Sequence, residues 1–216
     1  MKKIAVVLSG CGFKDGAEIT ESVSTLIALG QCQADYQCFA PDKTFESIDH
    51  SNGEPSGIRN ILSEAARIAR GNVKKLSDLN VKNYEAVIFP GGFGAALHLC
   101  SWAKQGANCE VLPDVVRIIS EFHSASKPIG AICIAPVLVA KILGDQGVTV
   151  TIGDDSETAQ EIEKTGALHE TCPVTDYVTD RQHKVVTTPA YMYDQAKPSQ
   201  VFQGIHGLIR EVVEMA

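Results

Sequence analysis

Cys133 lies in the run Lys127-Pro128-Ile129-Gly130-Ala131-Ile132-Cys133-Ile134-Ala135-Pro136, with Ala131 and Ala135 each two residues away. Small residues on both sides of a nucleophile suit a tight strand-to-helix turn, where larger side chains would collide. Pro136 fits the first turn of the following helix, because its missing N–H is not needed there. A thiol at a helix start feels the positive end of the helix dipole and free backbone N–H groups, which favour the thiolate. The plainer alternative is a small buried structural cysteine.

Two further stretches have the composition of a catalytic site. Pro90-Gly91-Gly92-Phe93-Gly94 follows an apolar run, and adjacent glycines let backbone N–H groups approach a ligand oxygen as an oxyanion hole requires. The alternative there is a tight helix start. Glu18 and Glu21 fall in the first turns of a helix, where acids suit the dipole and a carboxylate could act as general base. On a helical projection Glu21 points away from the stripe Ile19, Val23, Leu26 and Ile27, which argues for solvent exposure.

The elements that must position these residues alternate along the chain as strand and helix. That is the pattern of a mostly parallel sheet with helices on both faces. Strands are expected at 4–8, 36–40, 84–89, 128–133, 148–152 (continuing the sheet), 174–179 and 184–188. Helices are expected at 17–29, 58–70 (Ile61, Leu62, Ala65, Ile68 and Ala69 inward), 111–123, to Leu143 after the cysteine, 156–165 and 199–213. Residues 42–57 lack periodicity and read as a surface excursion. No repeat or linker divides the 216 residues, so one domain spanning 1–216 is the expectation. Gly10-Cys11-Gly12, with the next glycine at Gly16, is one place off a dinucleotide fingerprint and reads as a glycine-permitted turn.

A net charge of -7 and the lack of any basic run argue against nucleic acid or a polybasic membrane anchor. No apolar stretch is long enough to span a bilayer. Seven cysteines, an odd number without a signal peptide, point to free thiols in a reducing compartment. The cytoplasm, or an organelle of similar redox poise, is the expected location. The six histidines are scattered and none adjoins Cys133; His169 is the best candidate for a distant partner. Without C-x-x-C or H-E-x-x-H spacing, no metal is expected.

Taken together, "FPGGFGAALHL" (89–99), "KPIGAICIAPVLVAKIL" (127–143) and "DGAEITES" (15–22) resemble the PfpI-like superfamily of class I glutamine-amidotransferase-like proteins, which includes the Parkinson-associated deglycase. With "VVLSGCG" (6–12), "CFAPDK" (38–43), "ARIARG" (66–71) and "KVVTTPAYM" (184–192), nearly the whole chain is similar to the ElbB group. That group is described as glyoxalases or isoprenoid-biosynthesis proteins with an amidotransferase-like domain. The resemblance implies an α/β, flavodoxin-like three-layer sandwich with Cys133 at the nucleophile elbow. It puts Glu21 beside the thiol, reversing the projection, and makes the Gly92 and Ile134 N–H groups the oxyanion hole. Gly91, Glu18 and His169 are the further substrate-pocket candidates. A homodimer is also implied.

Two departures bear on the chemistry. Residues 187–191 hold no His-x-Glu pair, so glutamine hydrolysis is not expected, and Ile134 stands where protease-like members have His. The deglycase-type histidine would fall near Ile152 or Gly153 and is missing as well. A thiol, a carboxylate and an oxyanion hole suit a small α-oxoaldehyde. The expectation is cofactor-independent conversion of glyoxal to glycolate through a Cys133 hemithioacetal, with Glu21 moving the proton. The alternative is a non-catalytic redox sensor or interaction protein that uses a reactive Cys133.

Overall fold

The structure, a computed structural model, describes residues 1–216. Its elements, in chain order, are β1 (Lys3–Val7), α1 (Ile19–Gln31), β2 (Asp35–Ala40), β3 (Thr44–Ile48), β4 (Pro55–Asn60), α2 (Ile61–Ile68), β5 (Val73–Lys75) and β6 (Ala86–Phe89). A π-helical turn (Ala95–Leu99) leads to α3 (Trp102–Gln105), α4 (Pro113–Ser124), β7 (Ile129–Ile132), α5 (Pro136–Leu143), β8 (Thr149–Val150), α6 (Ser156–Glu163), β9 (Leu168–His169), β10 (Val178–Asp180), β11 (Val185–Thr188) and α7 (Pro198–Met215).

Seven strands form one sheet in the order β10-β11-β7-β6-β1-β2-β5, parallel throughout except at the β10–β11 edge. Side chains alternate across its faces, and both faces are dry, so the central strands are apolar without interruption. Ala5, Val7, Val87, Phe89 and Ile129 pack with Ile118 and Phe122 of α4 and Leu138 of α5. Ile4, Val6, Ile88 and Val186 pack on the other face with Leu29 of α1, Ala65 of α2 and Leu208 of α7. The result is an α/β three-layer sandwich of the flavodoxin-like kind.

The departures from the expected elements have physical causes. Residues 42–57 are not an irregular excursion: β3 and β4 pair antiparallel as a two-stranded ribbon, which takes Ile58 out of the expected helix. That helix starts only at Ile61, capped by the Asn60 side chain. The 148–152 segment does not join the main sheet; β8 pairs instead with β9 in a separate two-stranded unit. The short edge strand β5 was not expected at all, since "VKK" carries no apolar pattern.

In α1 the wheel is turned. Ile19, Val23 and Ile27 are 49%, 39% and 49% exposed, while Glu21, Ser22, Ser24, Thr25, Ala28 and Leu29 are buried. Small and polar residues let α1 lie close against the sheet and α7, and the Ser22 and Thr25 hydroxyls are satisfied by the Glu18 and Glu21 carbonyls of their own helix. Periodicity identifies two faces of a helix, but here the apolar face is the outer one.

Sheet order brings the site together. β7 lies between β6 and β11, so the loops after Phe89, Ile132 and Thr188 emerge side by side at the carboxyl edge. β1, where the strand order reverses, adds the glycine loop and the first turn of α1 to the same edge.

Candidate active site

Cys133 follows the last residue of β7, and its N–H still donates to the Thr188 carbonyl of the neighbouring strand at 2.9 Å. Its backbone then turns to φ +61, a left-handed conformation that L residues adopt at a cost of roughly 1–2 kcal/mol. The turn lifts the side chain over the sheet edge before α5 begins. Cys133 is 7% exposed and forms part of the floor of a cavity of about 470 Å³.

Gly91 makes the elbow possible. A Cβ on Gly91 would collide with the Cβ of Cys133 and would come 2.6 Å from Glu21 Oε2. At Gly92 (φ +91) a Cβ would strike the Glu18 nitrogen and the Gly16 carbonyl. The Gly10–Gly16 loop is therefore used for packing: Gly94 N–H donates to the Gly16 carbonyl at 2.9 Å, and Phe93 N–H to the Phe13 carbonyl at 2.7 Å. That close backbone approach accounts for glycines that resemble, but do not match, a nucleotide fingerprint.

Glu21 has no solvent exposure. Its Oε2 accepts the Gly91 N–H at 3.0 Å and its Oε1 accepts the Tyr191 N–H at 3.2 Å, and the Cys133 side chain lies beside it, both crowding the position a Gly91 Cβ would take. Burial, reinforced by the charge of Glu18, pushes the Glu21 carboxyl up to about 8. Glu18 caps α1 by accepting the Glu21 N–H at 2.6 Å, and its own N–H donates to the Gly91 carbonyl at 2.9 Å. One helix turn thus fixes both acids relative to the glycine loop.

The thiol departs from the expected helix-start behaviour. Burial and then the Glu21 charge hold the Cys133 thiol well above its usual range, although the Gly92 and Ile134 N–H groups directed at the sulfur pull the other way. Desolvation of a nearly enclosed sulfur beside an acid outweighs two backbone donors. Each group raises the other, so the two protons leave in separate steps, the first from the Glu21 carboxyl.

Cys133, Glu21, Glu18, Gly91, Gly92 and Ile134 thus converge. His169 does not: it is on β9, accepts the Ile152 N–H at Nε2 (3.3 Å), and is not in the cavity wall. Gly153, near the expected deglycase-type histidine, is packed under the Tyr193 ring. Residues that sequence reasoning missed include Phe13, Phe93, Asp155, Tyr191, Met192 and Asp194, all in the wall. Tyr191 had one available signal, its position just beyond a strand expected to end at the same sheet edge. No three His, Cys, Asp or Glu side chains are grouped so as to hold a metal ion, and no helix is long and apolar enough to cross a membrane.

A cysteine elbow at the carboxyl edge of a mostly parallel sheet, with an acid from the first helix beneath it, defines a PfpI-like protein of the class I amidotransferase-like fold. No family model matches the chain. It is 45% identical to human "Glutamine amidotransferase-like class 1 domain-containing protein 3, mitochondrial", over 99% of this chain and 83% of that protein. It is 44% identical to the rat "ES1 protein homolog, mitochondrial", over 99% and 84% respectively. The chain belongs to this ES1-type family of glutamine amidotransferase-like class 1 domain proteins. Among solved structures, an "isoprenoid biosynthesis protein with amidotransferase-like domain" from Ehrlichia chaffeensis superposes with a TM-score of 0.93 at 37% identity, covering 100% of this chain and 99% of that one. Drosophila melanogaster DJ-1beta shares the fold at TM-score 0.56 and 16% identity, covering 99% and 95%.

The relatives correct one expectation. Both mammalian proteins are named as mitochondrial, as is the zebrafish ES1 protein, which conflicts with a cytoplasmic location. Free thiols report a reducing environment, not which compartment provides it.

Two substitutions test the geometry of the elbow. Cys133→Gly should be more stable than Cys133→Ala by about 1 kcal/mol in denaturant titrations, because only glycine relieves the positive φ. Gly91→Ala should lose about 1–3 kcal/mol through overpacking, and the Cys133 thiol should lose its normal reactivity toward iodoacetamide.

Proposed function

We propose that the protein is a cofactor-independent glyoxalase that converts glyoxal, or a related small α-oxoaldehyde, to the corresponding hydroxy acid. The observation that carries this reading is the adjacent Cys133 thiol and Glu21 carboxyl beside the Gly92 and Ile134 N–H groups, in a cavity wide enough for substrate. The resemblance to an isoprenoid-biosynthesis protein fits the same fold but names no reaction.

In the proposed cycle, Glu21 as carboxylate takes the thiol proton while Cys133 Sγ bonds to one aldehyde carbon. The C=O π pair becomes an alkoxide, held by the Gly92 and Ile134 N–H groups; the Glu21 carboxyl then passes it the thiol's proton, which completes the hemithioacetal and returns Glu21 to carboxylate. Glu21 removes the hydrogen of that carbon as a proton, leaving an enediolate, and returns it to the neighbouring carbon. The product is a Cys133 thioester of glycolic acid. Water attacks the thioester carbon, the C–S bond breaks, and glycolate, a proton and the thiol are released. The two carbons exchange oxidation level internally, so the sum is glyoxal plus water giving glycolate plus a proton. An acid near 8 suits a group that must both take and give a proton near neutrality. Cys133 opens into a cavity with room for substrate and stands beside an acid that can take its proton, which favours the enzyme over a redox sensor.

The implied homodimer belongs to the same proposal. The outward stripe of Ile19, Val23 and Ile27 is the surface that a second copy would cover. Sedimentation should then show a dimer for the wild type and a monomer for Ile19→Ser/Ile27→Ser.

Purified protein supplied with glyoxal alone should form glycolate, and Cys133→Ala should lose on the order of a hundredfold or more of the rate. Wild-type turnover by Cys133→Ala would sink the mechanism. The active form has Glu21 ionised and Cys133 still a thiol, so kcat/KM should rise with pH through an apparent midpoint near 8. Stability should run the other way. A carboxyl raised in the folded state binds more protons there than when unfolded, so its contribution is full below the ordinary 4.5 and is lost as pH rises to about 8. Glu21→Gln should flatten that slope in thermal unfolding and abolish turnover.

A further inference from the structure

The cavity over Cys133 is far larger than glyoxal requires. About 470 Å³ is room for a drug-sized molecule, and glyoxal would fill only a small part of it. Its wall includes Phe13 and Phe93, 43% and 53% exposed, and Met192. The Phe13 ring is already met by Lys14 and by the His50 ring, which leaves the exposed Phe93 ring as the apolar surface for a ligand.

The charge of the same wall is one-sided. Three carboxyl side chains line it, Glu18, Asp155 and Asp194, and no Lys, Arg or His does. The nearest cation along the loop, Lys14, donates to the His50 carbonyl at 3.3 Å and lies 5.8 Å from the centroid of the Phe13 ring, so it is engaged at the Phe13 side of the mouth and pairs with none of the three acids. Three helix N-termini face the cavity and would ordinarily draw an anion. That of α5, at the floor, serves the reacting oxygen through the Ile134 N–H. The two nearer the mouth are answered internally: Glu18 accepts the Glu21 N–H of α1, and Asp155 accepts the Glu157 and Thr158 N–H groups of α6 at 3.1 and 3.2 Å. Phosphorylated or carboxylated carbonyl compounds would thus meet acids where such groups usually meet free N–H donors.

We propose that the site is built for an α-oxoaldehyde whose remote end carries a positive charge, an ammonium or quaternary ammonium group, and that it rejects anionic analogues. This rests on the reading of Cys133 as the nucleophile and extends it from the reacting end of the substrate to the other end. The aldehyde reaches Cys133 on the floor. The cation stays at the mouth against the Phe93 face and the Asp155 and Asp194 carboxyl groups, an arrangement that uses cation–π attraction and charge pairing together.

The test has two readouts. In the first, arylglyoxals bearing a para-trimethylammonium, no substituent or a para-carboxylate are compared as substrates at low salt. The cationic probe should exceed the anionic one in kcat/KM by on the order of tenfold or more, with the gap narrowing as salt is added. The second needs no turnover: Cys133 labelling by trimethylammonioethyl and sulfonatoethyl methanethiosulfonates, followed by peptide mass and normalised to a free small thiol. The same preference should hold, and it should collapse in Asp155→Asn/Asp194→Asn, where asparagine keeps the α6 cap. If glyoxal is not converted but labelling keeps its cationic preference, the catalytic reading fails and the charge selectivity stands. Equal or anion-favoured rates in both readouts, with glyoxal turnover intact, overturn the selectivity alone.

Discussion

The thiol of Cys133 and the carboxyl of Glu21 meet at a point the sheet has already closed to water, and the surrounding backbone is shaped to permit that contact. Gly91 lacks a side chain because both groups occupy its Cβ position. Gly92 and Gly94 lack one because the loop must lie directly on the Gly16–Glu18 backbone to hold Glu21 in place. The elbow at Cys133 accepts a left-handed backbone for the same reason. These are local costs, and the dry apolar packing on both faces of the sheet offsets them.

That contact also decides the electrostatics. A helix start and two N–H donors would make an exposed cysteine a ready thiolate, but enclosure reverses the balance and raises both members of the pair. Reactivity is then a property of the pair, with the acid serving as proton store for the thiol. The missing histidine is less of a deficit in such a site, because Glu21 stands within hydrogen-bonding reach of the sulfur and is tuned towards neutrality.

Much of this was legible in the sequence, and the exceptions share a cause. The strand runs, the Ala-Ile-Cys-Ile-Ala spacing and the paired glycines fix local geometry, so sheet edge and elbow could be read directly. The face of α1 could not, because its outer side carries Ile19, Val23 and Ile27 while its inner side carries Glu21, Ser22 and Ser24. Only the resemblance to other proteins turned Glu21 inward. The β3–β4 ribbon and the β8–β9 pair escaped notice because short pairings outside the main sheet need little apolar pattern. The cavity wall draws Phe13, Phe93, Asp155 and Asp194 from four separate loops, and nothing in their spacing joins them.

The protonation state of Glu21 is the quantity on which the chemistry turns, and carbon-13 NMR titration of its side-chain carboxyl carbon reads it directly. A midpoint near 8 in the wild-type protein is the expected result. A midpoint near the ordinary 4.5 would show a fully ionised acid at neutral pH, and the paired proton store beneath Cys133 would not exist.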